Sequence, residues 1–168
     1  MSSTIWRNGG LLFLAFIIQG SFGEHLAIKG IRPDFVVTIL VYVALASGSF
    51  TGIVLGFSVG LLQDIYGPPA SLGLNALSKS IIGYLVGLGR AGLYRESFVT
   101  LGLVLGVALL IHDGLYTLIG AQGDVGVFLQ RFWSISCPTI VYTLAFGLFL
   151  AILLVYREGQ FHARRLFP

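Results

Sequence analysis

The chain has 168 residues, of which 56% are apolar and 10% charged, and its mean hydropathy is +0.92. A soluble domain carries about a quarter charged residues, so this composition excludes one and points to an all-α, polytopic membrane protein. The net charge of +3 does not point to nucleic acid, because the basic residues lie between apolar runs, where membrane topology accounts for them.

A hydrocarbon core of about 30 Å needs about 20 helical residues to cross it. The first apolar segment covers residues 9–23. Arg7 precedes its run from Leu11 to Ile18 as in a signal peptide, but no clear A-x-A cleavage site follows, so it reads as a retained first span. An uncharged run of 29 residues then extends from Phe35 to Gln63. As one helix it would be roughly 43 Å long, too much for one span, yet it is too short for two full ones. Ser47-Gly48-Ser49 near its middle reads as a break, so two short helices are expected, 34–46 and 50–63. Pro33 and Asp34 suit the start of the first of these, the proline in a first turn and the carboxylate against free backbone N–H groups.

Pro68-Pro69 forms a rigid outer turn before a span over 72–93. Spans over 97–119 and 132–156 complete a set of six in one integral membrane domain, residues 1–168. Pro138 removes a backbone bond early in the last span and should kink it, and Cys137 beside it reads as a packed, inert thiol. A single cysteine excludes an internal disulfide and a cysteine-based metal cluster. Trp6, Trp133, Tyr94 and Tyr156 fall near span ends, as interfacial aromatics do, and the basic tail from Arg157 to Arg165 reads as an anchor on anionic membrane lipid.

Gly48, Gly52, Gly56 and Gly60 recur every four residues. That spacing puts them on one helix face, where missing side chains let another helix approach closely. The stripe is expected to be a packing surface, either inside the bundle or for a partner. With six spans and both termini in the cytoplasm, Arg7, Arg90, Arg95, Arg157, Arg164 and Arg165 lie inside and Lys29, Arg32 and Arg131 outside. Five spans would segregate the charges slightly better, but span length and the Ser-Gly-Ser break favour six.

Arg32-Pro33-Asp34, the glycine series leading through Gly56-Phe57 into Gly60-Leu61-Leu62-Gln63-Asp64, then Gly67, Leu72-Gly73-Leu74-Asn75 and Gly83-Tyr84-Leu85 resemble the MreD family of bacterial rod-shape-determining membrane proteins. The motif region covers about residues 32–90. The resemblance implies a non-catalytic, six-span subunit of the bacterial inner membrane with both termini cytoplasmic. It implies MreC as direct partner, MreB and a glycosyltransferase–transpeptidase pair as indirect ones, and no cofactor. It also implies a fold similar to the substrate-binding membrane subunits of vitamin transporters.

Ionisable groups inside apolar sequence are costly and are functional candidates by default. Lys79 lies within the fourth span, with Asn75 one turn before it and Gly83 one turn after. It either snorkels to the outer interface or pairs with Asp64, at the end of the preceding helix; pairing is the expectation. His112-Asp113 interrupts the fifth span; adjacent positions point about 100° apart, so the two cannot share a face. Either the helix ends near Ile111 and both reach the interface, or one of them lines the bundle interior. A catalytic pair would need a nucleophile, and Ser134 and Ser136 are equally well explained as small polar helix residues. His25, His112 and His162 lack the i,i+4 pairing of helical metal sites, and no phosphate-binding G-x-x-x-x-G-K-[ST] loop occurs.

Three function classes therefore compete: an assembly subunit that holds the membrane helix of MreC, a small-molecule-binding membrane subunit of a transporter, and an intramembrane enzyme, for which the sequence offers no reactive constellation. The glycine face, the missing catalytic set and the resemblance favour the first.

Overall fold

The computed structural model describes residues 2–91 and 98–166, with side chains at 5–69, 71–90 and 99–153. The described residues form helices and no strand: α1 (Ser2–Phe22), α2 (Phe35–Ser47), α3 (Ser49–Ile65), α4 (Leu74–Leu88), α5 (Phe98–Gly120), α6 (Val125–Arg131) and α7 (Cys137–Leu166). A π turn, Phe132–Ser136, joins α6 to α7, so these two run on as one rod and the helical rods number six. The π turn falls just before Cys137-Pro138, where the proline ring would otherwise meet the carbonyl one turn earlier. Tyr94 and Arg95 lie outside the described residues, as do the side chains of Tyr156 and of the basic tail from Arg157 to Arg165.

Local chemistry sets the helix ends. Asp34 caps α2 by accepting from the Val37 N–H at 2.8 Å, and Asp124 caps α6 in the same way at Val127. Gly48 takes φ +91°, closed to most side chains, and is the whole connection between α2 and α3. The expected break in the long apolar run is therefore a single glycine. Val59 of α3 packs with Val36 and Leu40 of α2, so the chain doubles back at that point.

α2 is the centre of the bundle. Nine of its 13 residues are buried, which fits a helix that is apolar on every side. Its flanks enter two clusters, Val37, Val41 and Leu45 with Ile82, Leu105 and Leu109, and Val36, Leu40 and Val43 with Leu12, Ala15 and Val59.

α3 and α4 make the closest helix contact. A Cβ at Gly52 would fall on the carbonyl of Gly83, one at Gly56 on that of Lys79, and one at Gly60 on Asn75 and Ala76. Each step of four along α3 meets a step of four back along α4, so the helices are antiparallel and their backbones touch. Gly87 continues the seam against Gly48 and Ser49. Gly48 thus serves mainly as the turn, and Gly83 and Gly87 supply the opposing small face. Lipid provides no hydrophobic drive between helices, so such backbone contact is where packing energy is gained.

The other neighbours in sequence are antiparallel too. Asn8 and Gln19 of α1 bond Ser47 Oγ and the Val36 N–H of α2; Ser78 of α4 meets His112 of α5 while Val86 lies near Leu103 and Val104; and Thr117 of α5 meets Ser136 of the last rod while Gly102 lies against Leu148. Six rods alternating in direction bring the start of α1 and the end of α7 to one end of the bundle. Trp6 and Trp133 are both exposed.

Glycine-to-alanine exchanges separate a packing role from mere tolerance of glycine. Gly52→Ala should destabilise the isolated protein in detergent by about 1–3 kcal/mol or more, because its methyl group meets backbone. Gly10→Ala, with nothing within 4 Å of the new Cβ, should stay within about 0.5 kcal/mol. Thermal unfolding of the purified chain measures both; equal midpoints for the two would remove the seam from the stability of the bundle.

Candidate functional site

Every helix of the bundle that starts in apolar surroundings must find acceptors for its free N–H groups. At the start of α2, the Val36 N–H donates to Gln19 Oε1 at 3.1 Å, Val37 donates to the Asp34 side chain, and the Asp34 N–H donates to Thr143 Oγ1 of α7 at 3.0 Å. At the start of α4 the N-cap residue is Gly73, which has no side chain to offer. Asp64, from the end of α3, does that work instead. Its carboxylate accepts from the N–H groups of Asn75 (3.1 Å) and Ala76 (2.9 Å) and from Asn75 Nδ2 (3.0 Å). Gly60 makes this reach short by letting the two backbones touch at Asn75.

The expectation that Lys79 pairs with Asp64 is corrected by this geometry. Asp64 is spent on the end of α4, and the carboxylate facing Lys79 is that of Asp34, with Nζ 3.5 Å from Oδ2. The physical reason is direction: α2 and α4 run parallel, so the start of α2 lies beside the first turns of α4. The hydrogen-bonded link from Asp64 to Lys79 runs through Asn75, whose Nδ2 donates to Asp64 while its Oδ1 accepts from Lys79 Nζ at 3.0 Å.

Lys79 is completely buried, so it does not snorkel. Its third neighbour is His112 Nε2, at 3.2 Å. The Ser78 hydroxyl donates to the Leu74 carbonyl at 2.8 Å, so it accepts from His112 Nδ1, 2.9 Å away, and leaves Nε2 to accept from Lys79. The ammonium thus has three donors and three acceptors, Asn75, His112 and Asp34. α5 continues through His112 to Gly120, so the helix does not end near Ile111. His112 faces the network, while Asp113, the next position round the helix, keeps its Oδ2 buried with no hydrogen-bond partner.

Ser78, His112 and Asp34 lie in a row, with His112 Nε2 3.5 Å from Asp34 Oδ2, but Nε2 accepts from Lys79 rather than donating to the carboxylate as a hydrolase triad requires. Ser78 is also only 1% exposed, and its proton is already engaged by the Leu74 carbonyl. That geometry suits a structural link between α4 and α5. Ser136 likewise bonds Thr117 at 2.9 Å and ties the π turn to α5.

The remaining motif residues divide. Pro33 is buried at the start of α2, and Gln63 has its Oε1 buried without a partner. Arg32 pairs with Glu24 at 3.2 Å on the surface, where an ion pair contributes about 0–1 kcal/mol. Among the described residues no group of three or more His, Cys, Asp or Glu side chains is arranged to hold a metal ion. Sequence reasoning missed Gln19, Ser78 and Thr143 as network members. They are small or neutral polar residues with no spacing signal, and only the packing of α1, α5 and α7 gives them partners.

The ion pair is tested by a double-mutant cycle. Lys79→Gln should destabilise by about 3–5 kcal/mol, because Asp34 is left unpaired in a low dielectric. Asp34→Asn keeps the cap on α2, and combined with Lys79→Gln it should cost less than the sum of the two single changes. Asp64→Asn combined with Lys79→Gln should come closer to additive. A larger coupling to Asp64 than to Asp34 would refute the assignment.

No curated protein and no solved structure matches the chain significantly. The family model described as rod shape-determining protein MreD matches residues 4–157, a stretch that includes every residue of the buried network. The chain therefore belongs to the MreD family of rod-shape-determining membrane proteins.

Proposed function

We propose that this chain is a non-catalytic membrane subunit of the bacterial cell-elongation machinery. It binds MreC and through it helps regulate peptidoglycan synthesis and rod shape, with MreB and the glycosyltransferase–transpeptidase pair as indirect partners. It crosses the inner membrane six times as one domain, with both termini cytoplasmic. The observation that carries this reading is the family match over residues 4–157.

Two features of the bundle support a scaffold over a substrate-binding subunit. Asp34, Asp64, Lys79 and His112 bond one another, Asn75, Ser78 and the helix ends, so Lys79 has no donor left for a ligand. The recesses on its flank are apolar. One of about 250 Å³ between α4 and α5 is lined by Ile82, Val86, Leu103 and Ile111 among others, and one of about 500 Å³ beside α1 is lined by Leu11, Ala15, Phe35 and Phe146 among others. Such walls suit lipid chains or a partner helix better than a polar vitamin. The likeness to vitamin-transporter subunits is a fold-level analogy and carries no activity with it.

Affinity purification of the tagged chain from its own membranes should recover a single-span protein with a periplasmic domain. Recovery of an ATPase module or a bound vitamin instead would favour the transporter reading. A topology reporter inserted at Gly67 should report the outer side, and a cytoplasmic signal there would reject six spans in favour of five.

A further inference from the structure

α5 and the rod of α6 and α7 are long and apolar enough to cross a membrane; α2, α3 and α4 are apolar but have only 13, 17 and 15 residues. α2 is sheathed by its neighbours, but α3 and α4 are not. α3 exposes Phe50, Val54, Phe57 and Leu61, with Tyr66 exposed at its C-terminal cap, and α4 exposes Leu77, Tyr84, Leu85 and Leu88. At 1.5 Å per residue, Phe50 to Tyr66 covers about 24 Å and Leu74 to Leu88 about 21 Å. Beside α4, across the recess that Leu85 shares with Leu103 and Val107, the exposed row of α5 from Val99 to Ile119 covers about 30 Å, the thickness of an ordinary hydrocarbon core.

We infer that the bundle presents the bilayer with two faces of unequal apolar length and thins the hydrocarbon layer along α3 and α4. The inference rests on the reading that both helices cross the membrane. The long rods overshoot the short ones: beyond the contact of His112 with Ser78, α5 continues for about 12 Å to Gly120 and α4 for only about 6 Å to Leu74. The connections lend little extra apolar length, an exposed Leu72 just before α4. α2 passes into α3 through Gly48 alone, and the Arg90 guanidinium lies against that glycine, within 3.5 Å of where a Cβ would stand. At the opposite end α3 leads into the Gly67-Pro68-Pro69 turn. Tilt cannot correct the mismatch, because tilting shortens a helix along the membrane normal; a helix that is too short is met by local thinning. The occupant of this face is therefore lipid whose acyl chains shorten or disorder to fit it.

Spin labels test the inference in a full-length Cys137→Ala background, reconstituted in dioleoylphosphatidylcholine vesicles of uniform orientation. Labels go at Phe50→Cys, Phe57→Cys, Tyr66→Cys, Val99→Cys and Ile119→Cys. Relative collision with oxygen and a polar nickel complex reports their depth. The expected result puts the labels at 50, 66, 99 and 119 in the headgroup boundary, with the 50–66 separation about 6 Å shorter than the 99–119 separation. Labels at 50 and 66 sunk several ångströms into hydrocarbon would overturn thinning. So would a label at 57 shielded from oxygen, which would mean that a second copy covers the face. A membrane-impermeant reductant separates the two readings: it should reduce one of the labels at 50 and 66 and spare the other. Reduction of both or neither would reject the crossing itself, and with it the six-span reading. The unfolding midpoint of the unlabelled protein should be higher in dimyristoleoyl than in dierucoyl phosphatidylcholine; the reverse order would overturn the inference.

Discussion

The Lys79 ammonium is buried completely and has three N–H donors to satisfy. Its acceptors come from three helices: Asn75 one turn back on α4, His112 on α5 and Asp34 at the start of α2. An uncompensated charge at this depth would cost several kcal/mol, so these helices cannot slide or rotate independently without exposing it. Asp34 adds α7 to the set through the Thr143 hydroxyl, and Asp64 adds α3 through Asn75. One cation therefore sets the register among five of the six rods. α1 joins at the same level through Gln19, which bonds the start of α2.

Carboxylates in this bundle do two kinds of work at once. Asp34 caps its own helix with Oδ1 and faces Lys79 with Oδ2. Asp64 caps a helix other than its own, because Gly73 provides no side chain where α4 begins. Within a membrane a free helix end has no solvent to fall back on, so a side chain that closes it contributes to the position of the whole helix. The glycine seam belongs to the same arrangement. Backbone contact at Gly60 brings Asp64 to the first turn of α4, and contact at Gly56 lies at the level of Lys79. Packing and polar satisfaction thus support each other.

The exposed surface is of a different kind. It is apolar and lacks the polar networks of the interior, so lipid or another membrane helix can cover it at little cost. The bundle thus fixes its shape by internal contacts and leaves an apolar perimeter.

The amino-acid pattern alone was enough for helices in a membrane, for the break near Ser47-Gly48-Ser49, for a glycine face over Gly48, Gly52, Gly56 and Gly60, and for marking Lys79, Asn75, Asp64 and His112 as polar groups within apolar sequence. Those signals are local: hydropathy, four-residue spacing and the cost of charge in apolar sequence can all be read within one or two turns. The partner of Lys79 could not be read in that way. Asp64 is nearer in sequence, and Asp34 already had a sufficient role as a helix cap, but the parallel packing of α2 on α4 places Asp34 at the ammonium. The same holds for Gln19, Ser78 and Thr143, neutral side chains whose meaning depends on which helix lies opposite. Whether the glycine face turned inward was also a tertiary question, decided by Gly83 and Gly87 on α4, the small residues that could receive it. Local chemistry marks the groups that must be satisfied, and only the packing of helices distant in sequence determines which of them satisfy one another.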